Sequence, residues 1–206
     1  MENRFKRLKR YAFYLTQWFF QEKIKGLDFT MRDKSLISKT GGVLHGYSKT
    51  DERHAHEIFS ALIIDQSKRL LDVGCGKGAF LREACKEPFG EIGGLEYKEE
   101  LAKIARKNFE RLQLLDRVKI FVGDAALFDH YDQYNVFYFF NPFNTSVMSK
   151  VIDRILEVQR EDIWIILHNP VCAGIIVEKG GIEIKELFDP VKSYYTKIFV
   201  IKYSVD

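Results

Sequence analysis

The stretch Leu71-Asp72-Val73-Gly74-Cys75-Gly76-Lys77-Gly78 is the part of the chain best suited to holding a ligand. It stands where a short apolar run, Leu70 to Val73, hands over to a helical pattern through Phe80, Leu81 and Ala84. Glycines at such a junction let the backbone turn tightly and approach a bound group closely, because no Cβ intervenes. Glu96 ends the next apolar run, about 20 residues on, where an acidic side chain accepts hydrogen bonds from both hydroxyls of a ribose. Asp124 follows the third run within Val122-Gly123-Asp124-Ala125, where its carboxylate or the neighbouring amide can meet an adenine. Asn141-Pro142-Phe143 follows the fourth. Open parallel sheets bind ligands at the carboxyl ends of their strands. One such motif is a weak signal; four in register are a strong one.

The glycine spacing alone leaves the ligand open. Gly74, Gly76 and Ala79 also satisfy the GxGxx(G/A) dinucleotide pattern, which keeps a nicotinamide-dependent oxidoreductase as an alternative. Asp72 tilts the choice. A carboxylate ahead of the first glycine receives the ammonium of a methionine moiety, whereas it repels a pyrophosphate.

The elements that must position these residues alternate. Strands are expected at Leu70–Val73, Ile92–Glu96, Val118–Val122, Val136–Phe140 and Ile163–Leu167. Helices are expected through Phe80 to Ala84, over Glu99–Leu112 with Leu101, Ile104, Ala105 and Phe109 on one face, and over Val147–Val158. That order implies an α/β fold with a parallel sheet covered on both faces. Ile182–Ile184 and Lys197–Tyr203 read as strands joined only by a loop, an antiparallel pair closing the sheet edge. Upstream, a helix begins at Thr50 or Asp51, either able to cap it, with Ile58, Leu62 and Ile63 on its buried side.

Arg4–Lys25 reads as an N-terminal helix with Phe5, Leu8, Ala12, Leu15 and Phe19 at helical spacing. Arg4, Lys6, Arg7, Lys9 and Arg10 cluster at its start. Two readings stand: a solvated cap on the main domain, or a docking surface for a membrane or nucleic acid. Gly26–Thr50 reads as a lid segment, and the domain division is 1–45 for the extension and lid and 46–206 for the main domain. Net charge is +3, too mild to demand a nucleic-acid partner. Three scattered cysteines form neither a disulfide framework nor a zinc ligand pair, so a reducing, cytoplasmic setting is expected. No apolar run reaches the ~20 residues of a membrane span, and no signal-peptide cleavage site follows the basic start.

Asp72-Val73-Gly74-Cys75-Gly76-Lys77-Gly78 resembles the first motif of class I S-adenosylmethionine (SAM)-dependent methyltransferases, and the similarity runs from about Gly46 to the C-terminus. The resemblance implies a Rossmann-like, seven-stranded, mostly parallel sheet with an antiparallel last strand, and SAM as cofactor. It assigns the methionine part to Asp72, Gly74, Cys75, Gly76 and Gly78, the ribose to Glu96 with Tyr97 beside it, and the adenine to Asp124 and Ala125. A narrower similarity, to small and mostly bacterial methyltransferases, is carried by Gly46-Tyr47-Ser48-Lys49-Thr50, Phe139-Phe140-Asn141-Pro142-Phe143 and His168-Asn169-Pro170. It implies that a segment holding Tyr47 and Thr50 folds over the cofactor.

Asn141-Pro142-Phe143 resembles the (Asp/Asn)-Pro-Pro-(Tyr/Phe) motif of amino-group methyltransferases. There the Asn oxygen and a backbone carbonyl hold the acceptor amine and an aromatic ring packs on it. The expected roles are Asn141 for acceptor alignment, within reach of the cofactor, Pro142 as part of the turn and Phe143 as a wall. The chain departs from the motif: Phe143 replaces the second proline and Asn144 stands at the aromatic position. The departure leaves open a SAM-binding relative that transfers nothing. The resemblance leaves the methyl acceptor, protein or small molecule, and the oligomeric state unassigned. His54, His56 and His168 are candidate bases for an oxygen acceptor, though a lone histidine is more often structural. No further ligand of suitable spacing accompanies His54-Ala55-His56, so no metal is assigned.

Overall fold

The computed structural model describes residue 16, residues 18–30 and residues 49–204. After a π-helical turn, Phe19–Lys23, come α1 (Glu52–Ser60), β1 (Arg69–Val73), α2 (Ala79–Ala84), β2 (Glu91–Glu96), α3 (Glu99–Arg111), β3 (Lys119–Val122), β4 (Val136–Phe140), α4 (Thr145–Val158), β5 (Ile163–His168), α5 (Ala173–Glu178), β6 (Ile182–Asp189) and β7 (Tyr194–Ile201). The seven strands form one sheet in the order β3-β2-β1-β4-β5-β7-β6. β1 to β5 run parallel to their neighbours, and β7 runs antiparallel to both β5 and β6. The strand order reverses between β1 and β4, which opens a ligand crevice at their carboxyl ends.

Alternation along each strand divides the core. Phe137 and Phe139 join Leu71, Val73, Ile163, Ile165, Met148 and Ile152 on one face. Val136 and Tyr138 point to the other, with Leu70, Ile58, Phe80, Ala105 and Phe109. Burying each such large side chain is worth about 1.5–3 kcal/mol, so the two faces anchor β1 and β4 under the crevice. In register, Asp72 lies between Gly94 of β2 and Tyr138 of β4. His168 lies between Phe140 of β4 and Thr196 of β7.

The fold matches the expected class, with local corrections. α1 is capped by Asp51, whose side chain accepts from Arg53 N, and ends at Ser60. Ala61 and Leu62 instead close short turns to Ile58 O and Phe59 O. Of the three residues expected on its buried side only Ile58 is buried within the helix; Ile63 lies beyond it, 81% exposed. β6 is longer than Ile182–Ile184 because it pairs with β7 along its length, yet it is an exposed edge strand carrying Glu183, Lys185 and Glu186. Ladder hydrogen bonds, not apolar patterning, define it. α5 is a further short helix whose Ile175 and Ile176 seal the end of the core.

Residues 1–15 of the expected N-terminal helix, with their basic cluster, lie outside the described residues. The part that is described grips the main domain. Glu22, 2% exposed, accepts from Phe29 N and Thr30 N at 2.9 Å each. Asp28 holds the buried Lys77 ammonium at 2.7 and 2.8 Å, and its backbone pairs with the Asn108 side chain. The first residues of the expected lid segment are thereby tied to the glycine loop, while residues 31–48 of that segment lie outside the described residues. Among the described residues no helix is long and apolar enough to cross a membrane.

Candidate active site

The glycine loop leaves β1 through three left-handed positions, Gly74 (φ +89), Gly76 (φ +55) and Gly78 (φ +82). Only glycine takes these angles without strain. Space is as restrictive as torsion: a Cβ on Gly74 would stand 2.9 Å from Pro142 Cβ, and one on Gly78 would stand 2.6 Å from the Phe109 ring. Gly74 N and Cys75 N both donate to Leu95 O, lacing the loop to β2. Gly78 then starts α2.

Two carboxylates face this loop from adjacent strands. Glu96 Oε2 accepts from Gly76 N at 2.8 Å and Oε1 from Lys98 N at 2.9 Å. Burial raises its pKa, while those backbone N–H groups pull against the rise. Asp72 is 3% exposed, and burial followed by the Glu96 charge pushes it well above the usual carboxylate range. Two buried acids, one raised further by the charge of the other, favour a ligand bringing positive charge and hydroxyl donors. The donor set fits SAM, with Asp72 for its ammonium and Glu96 for its ribose, and disfavours a pyrophosphate. Burial raises the Cys75 thiol well above its ordinary value, so it is an inert part of the loop wall.

Tyr97, Asp124 and Ala125 follow the carboxyl ends of β2 and β3. Tyr97, beside Glu96, is 57% exposed and leaves its ring free to cover a ligand. The Asp124 side chain caps a short 3₁₀ turn, accepting from Ala126 N at 2.9 Å, while Ala125 is buried with its carbonyl held by the Tyr131 hydroxyl. Tyr47 lies outside the described residues. Thr50 is no helix cap: it is 5% exposed, and its hydroxyl meets Tyr138 Oη at 2.7 Å.

The two Asn-Pro turns are strained. Asn141, the last residue before Pro142, has φ +41, and Asn169, before Pro170, has φ +57. Left-handed torsions are rare for non-glycine residues, and the position before proline favours extended backbone. Such outliers cost about 1–3 kcal/mol each and gather at functional sites. The Asn141 side chain is partly buried and makes no hydrogen bond to any described residue. A pocket with room for about one water, roughly 10 Å³, lies between the two Asn-Pro turns, with Asn141, Pro142, Phe143, His168 and Asn169 in its lining. Phe143 itself is 8% exposed and packs into the core with Met148, so it backs the turn from below. Asn144 caps α4, accepting from Val147 N at 3.0 Å, which accounts for an asparagine where an aromatic was expected.

Two of the three candidate histidines, His54 and His168, are closed off from solvent. His168 is fully buried, stacked on Phe140 at 3.9 Å, and its Nδ1 meets Tyr138 Oη at 3.0 Å. Burial and nearby His54 lower it to about 3, so it is neutral and enclosed rather than a base for an oxygen acceptor. His54 is also buried, bonded to Thr196 Oγ1 at 2.7 Å; His56 is exposed. Tyr138, Asp189 and Thr196 escaped the sequence reading. Tyr138 lay within an apolar strand run, and the other two lie far off in the chain.

A seven-stranded sheet with one antiparallel strand, a glycine loop after β1 and an acid after β2 define a SAM-binding methyltransferase fold. Residues 64–193 match the family described as "Methyltransferase domain", and the chain belongs to that family of SAM-dependent methyltransferase domains. An RNA methyltransferase from Salinibacter ruber, solved with S-adenosyl-L-homocysteine, is similar in fold, with a TM-score of 0.60 and 18% identity over 77% of this chain and 97% of that one. A SAM-dependent O-methyltransferase from Thermotoga maritima has a TM-score of 0.61 and 16% identity over 78% of this chain and 69% of its own. Polyamine aminopropyltransferase 2 of Aquifex aeolicus is 29% identical over 136 residues, 58% of this chain. The match spans only 28% of that protein's length.

Proposed function

We propose that the protein transfers a methyl group from SAM to a nitrogen nucleophile, an amine of a protein side chain or a small molecule, held at the Asn141-Pro142 turn. The observation that carries this reading is Asn141: a strained, left-handed residue at the end of β4, its amide unpaired among the described residues, directly against the glycine loop through Pro142. A side-chain carbonyl and a backbone carbonyl orient an amine while leaving its lone pair free, which a strong acid at this position would not do. The name of the Aquifex aeolicus relative, a polyamine aminopropyltransferase, is in keeping with an amine acceptor.

SAM, when bound, supplies an electrophilic methyl on a sulfonium. The chain's own contribution is placement. Asp72 and Glu96 orient the ligand, Gly74 admits it close to the backbone, and Asn141 aligns the incoming nitrogen. Alignment of this kind reaches about 7–11 kcal/mol of barrier in well-oriented intramolecular reactions. Asp28, within the described stretch 18–30, holds Lys77 of the glycine loop and braces it from the upstream side in this reading.

The test is methyl transfer from methyl-labelled SAM to a polyamine, a lysine-bearing peptide and a catechol in parallel. Label entering an amine, lost by about 100-fold or more in Asn141→Ala with S-adenosylhomocysteine affinity kept, supports the reading. Label entering only the catechol contradicts it.

A further inference from the structure

We propose that His54, His168 and Asp189 bind one divalent transition-metal ion of the zinc class. The three residues come from α1, the end of β5 and the end of β6, and one ligand atom from each lies within 4.8 Å of the others. They are 1%, 0% and 0% exposed. Two imidazoles and a carboxylate are a donor set suited to Zn²⁺ and its neighbours.

The geometry inside the cluster points to a shared ion rather than to a hydrogen bond. His168 Nε2 and Asp189 Oδ2 are 3.1 Å apart, within hydrogen-bonding range, yet both are buried with no aligned partner. Metal–ligand bonds of about 2.0–2.2 Å put neighbouring donors on one ion about 3 Å apart, without aiming either at the other.

The other atoms of each group are already engaged. Asp189 Oδ1 accepts from Val191 N at 2.8 Å and Lys192 N at 3.1 Å, leaving Oδ2 to the cluster. His168 Nδ1 is held by Tyr138 Oη, and His54 Nδ1 is 3.4 Å from Glu57 Oε2. Metal-binding histidines are oriented in this way by outer partners on their second nitrogen. His54 Nε2 hydrogen-bonds Thr196 Oγ1 at 2.7 Å and would exchange that partner for the ion, leaving the hydroxyl beside the cluster. An ion here would pin α1, which follows the lid, to β5 and the β6–β7 hairpin, and through Tyr138 and Thr50 it would steady the wall of the cofactor crevice.

The inference does not depend on the methyl acceptor, and its readout is metal content alone. The full-length protein is stripped with a chelator and titrated with Zn²⁺ and with Co²⁺, the latter followed by its visible absorption. One equivalent of either ion is expected, with His56→Ala binding as the parent does. Asp189→Asn, which keeps the turn at Val191, should weaken binding by more than the ~10–100-fold typical of losing an outer partner. His54→Ala should do the same. Absence of stoichiometric binding by the parent protein would overturn the proposal and leave a Thr50–Tyr138–His168 hydrogen-bond chain. So would undiminished binding by a folded Asp189→Asn protein.

Discussion

A Cβ built on Gly74 would lie 2.9 Å from the Cβ of Pro142, so the glycine loop after β1 and the Asn-Pro turn after β4 lie directly against each other. The absence of a Cβ at Gly74 is what lets the loop after β1 and the turn after β4 approach this closely.

Gly74→Ala meets both that contact and a φ of +89. We expect about 1–3 kcal/mol of destabilisation, a drop in Tm of several degrees for a chain this long, and at least a tenfold loss of S-adenosylhomocysteine affinity. Thermal melts and calorimetric titration of the purified variant check both.

Asp72 links affinity to pH. Its folded pKa is raised by burial and by Glu96, so the ligand-free folded state holds this proton more tightly than the unfolded chain does. Ligand-free stability from this group therefore falls as pH rises through that raised value and is recovered on acidification. Binding of a cationic ligand needs the ionised form, so affinity should fall up to about tenfold per pH unit below the raised pKa. Asp72→Asn should flatten this dependence, weaken binding by tenfold or more, and make the ligand-free protein more stable than the parent at pH 7.5. Titrations and denaturant melts at pH 5.5 and 7.5 separate the effects.

Tyr138→Phe keeps the ring, stacked on Phe80 at 3.6 Å, and deletes only the hydroxyl between Thr50 and His168. Two buried polar groups lose a partner, which costs about 1–3 kcal/mol. Denaturant unfolding should show that loss with an unchanged m value.

Asn144→Ala distinguishes a cap from an acceptor contact. Loss of the bond to Val147 N should cost about 1 kcal/mol of stability. Turnover at saturating acceptor should remain within about twofold, since the side chain serves α4. A much larger drop in turnover would place Asn144 in the reaction.

The frame was legible where strands are apolar throughout. Val136 to Phe139 and Ile165 to Leu167 are buried on both faces, and continuous hydrophobicity marks such strands. β6 was legible only in part, because an edge strand facing solvent carries no apolar pattern to extend it past Ile184. Among the site residues, glycines and acids at strand ends were readable from spacing. Asn144 was not separated from the acceptor motif, although an asparagine three residues before Val147 is also a cap signal. The grouping of His54, His168 and Asp189 was hidden because sheet pairing, rather than sequence proximity, assembles it.

If the crevice between β1 and β4 takes SAM and its product rather than a dinucleotide, calorimetric titration of the purified protein with S-adenosylhomocysteine and, in parallel, with NADH separates the two ligands. Micromolar, one-to-one binding of S-adenosylhomocysteine that weakens in Asp72→Asn is expected, with no heat from NADH. Binding of NADH with none of S-adenosylhomocysteine, or affinity for S-adenosylhomocysteine unchanged by Asp72→Asn, would contradict that reading.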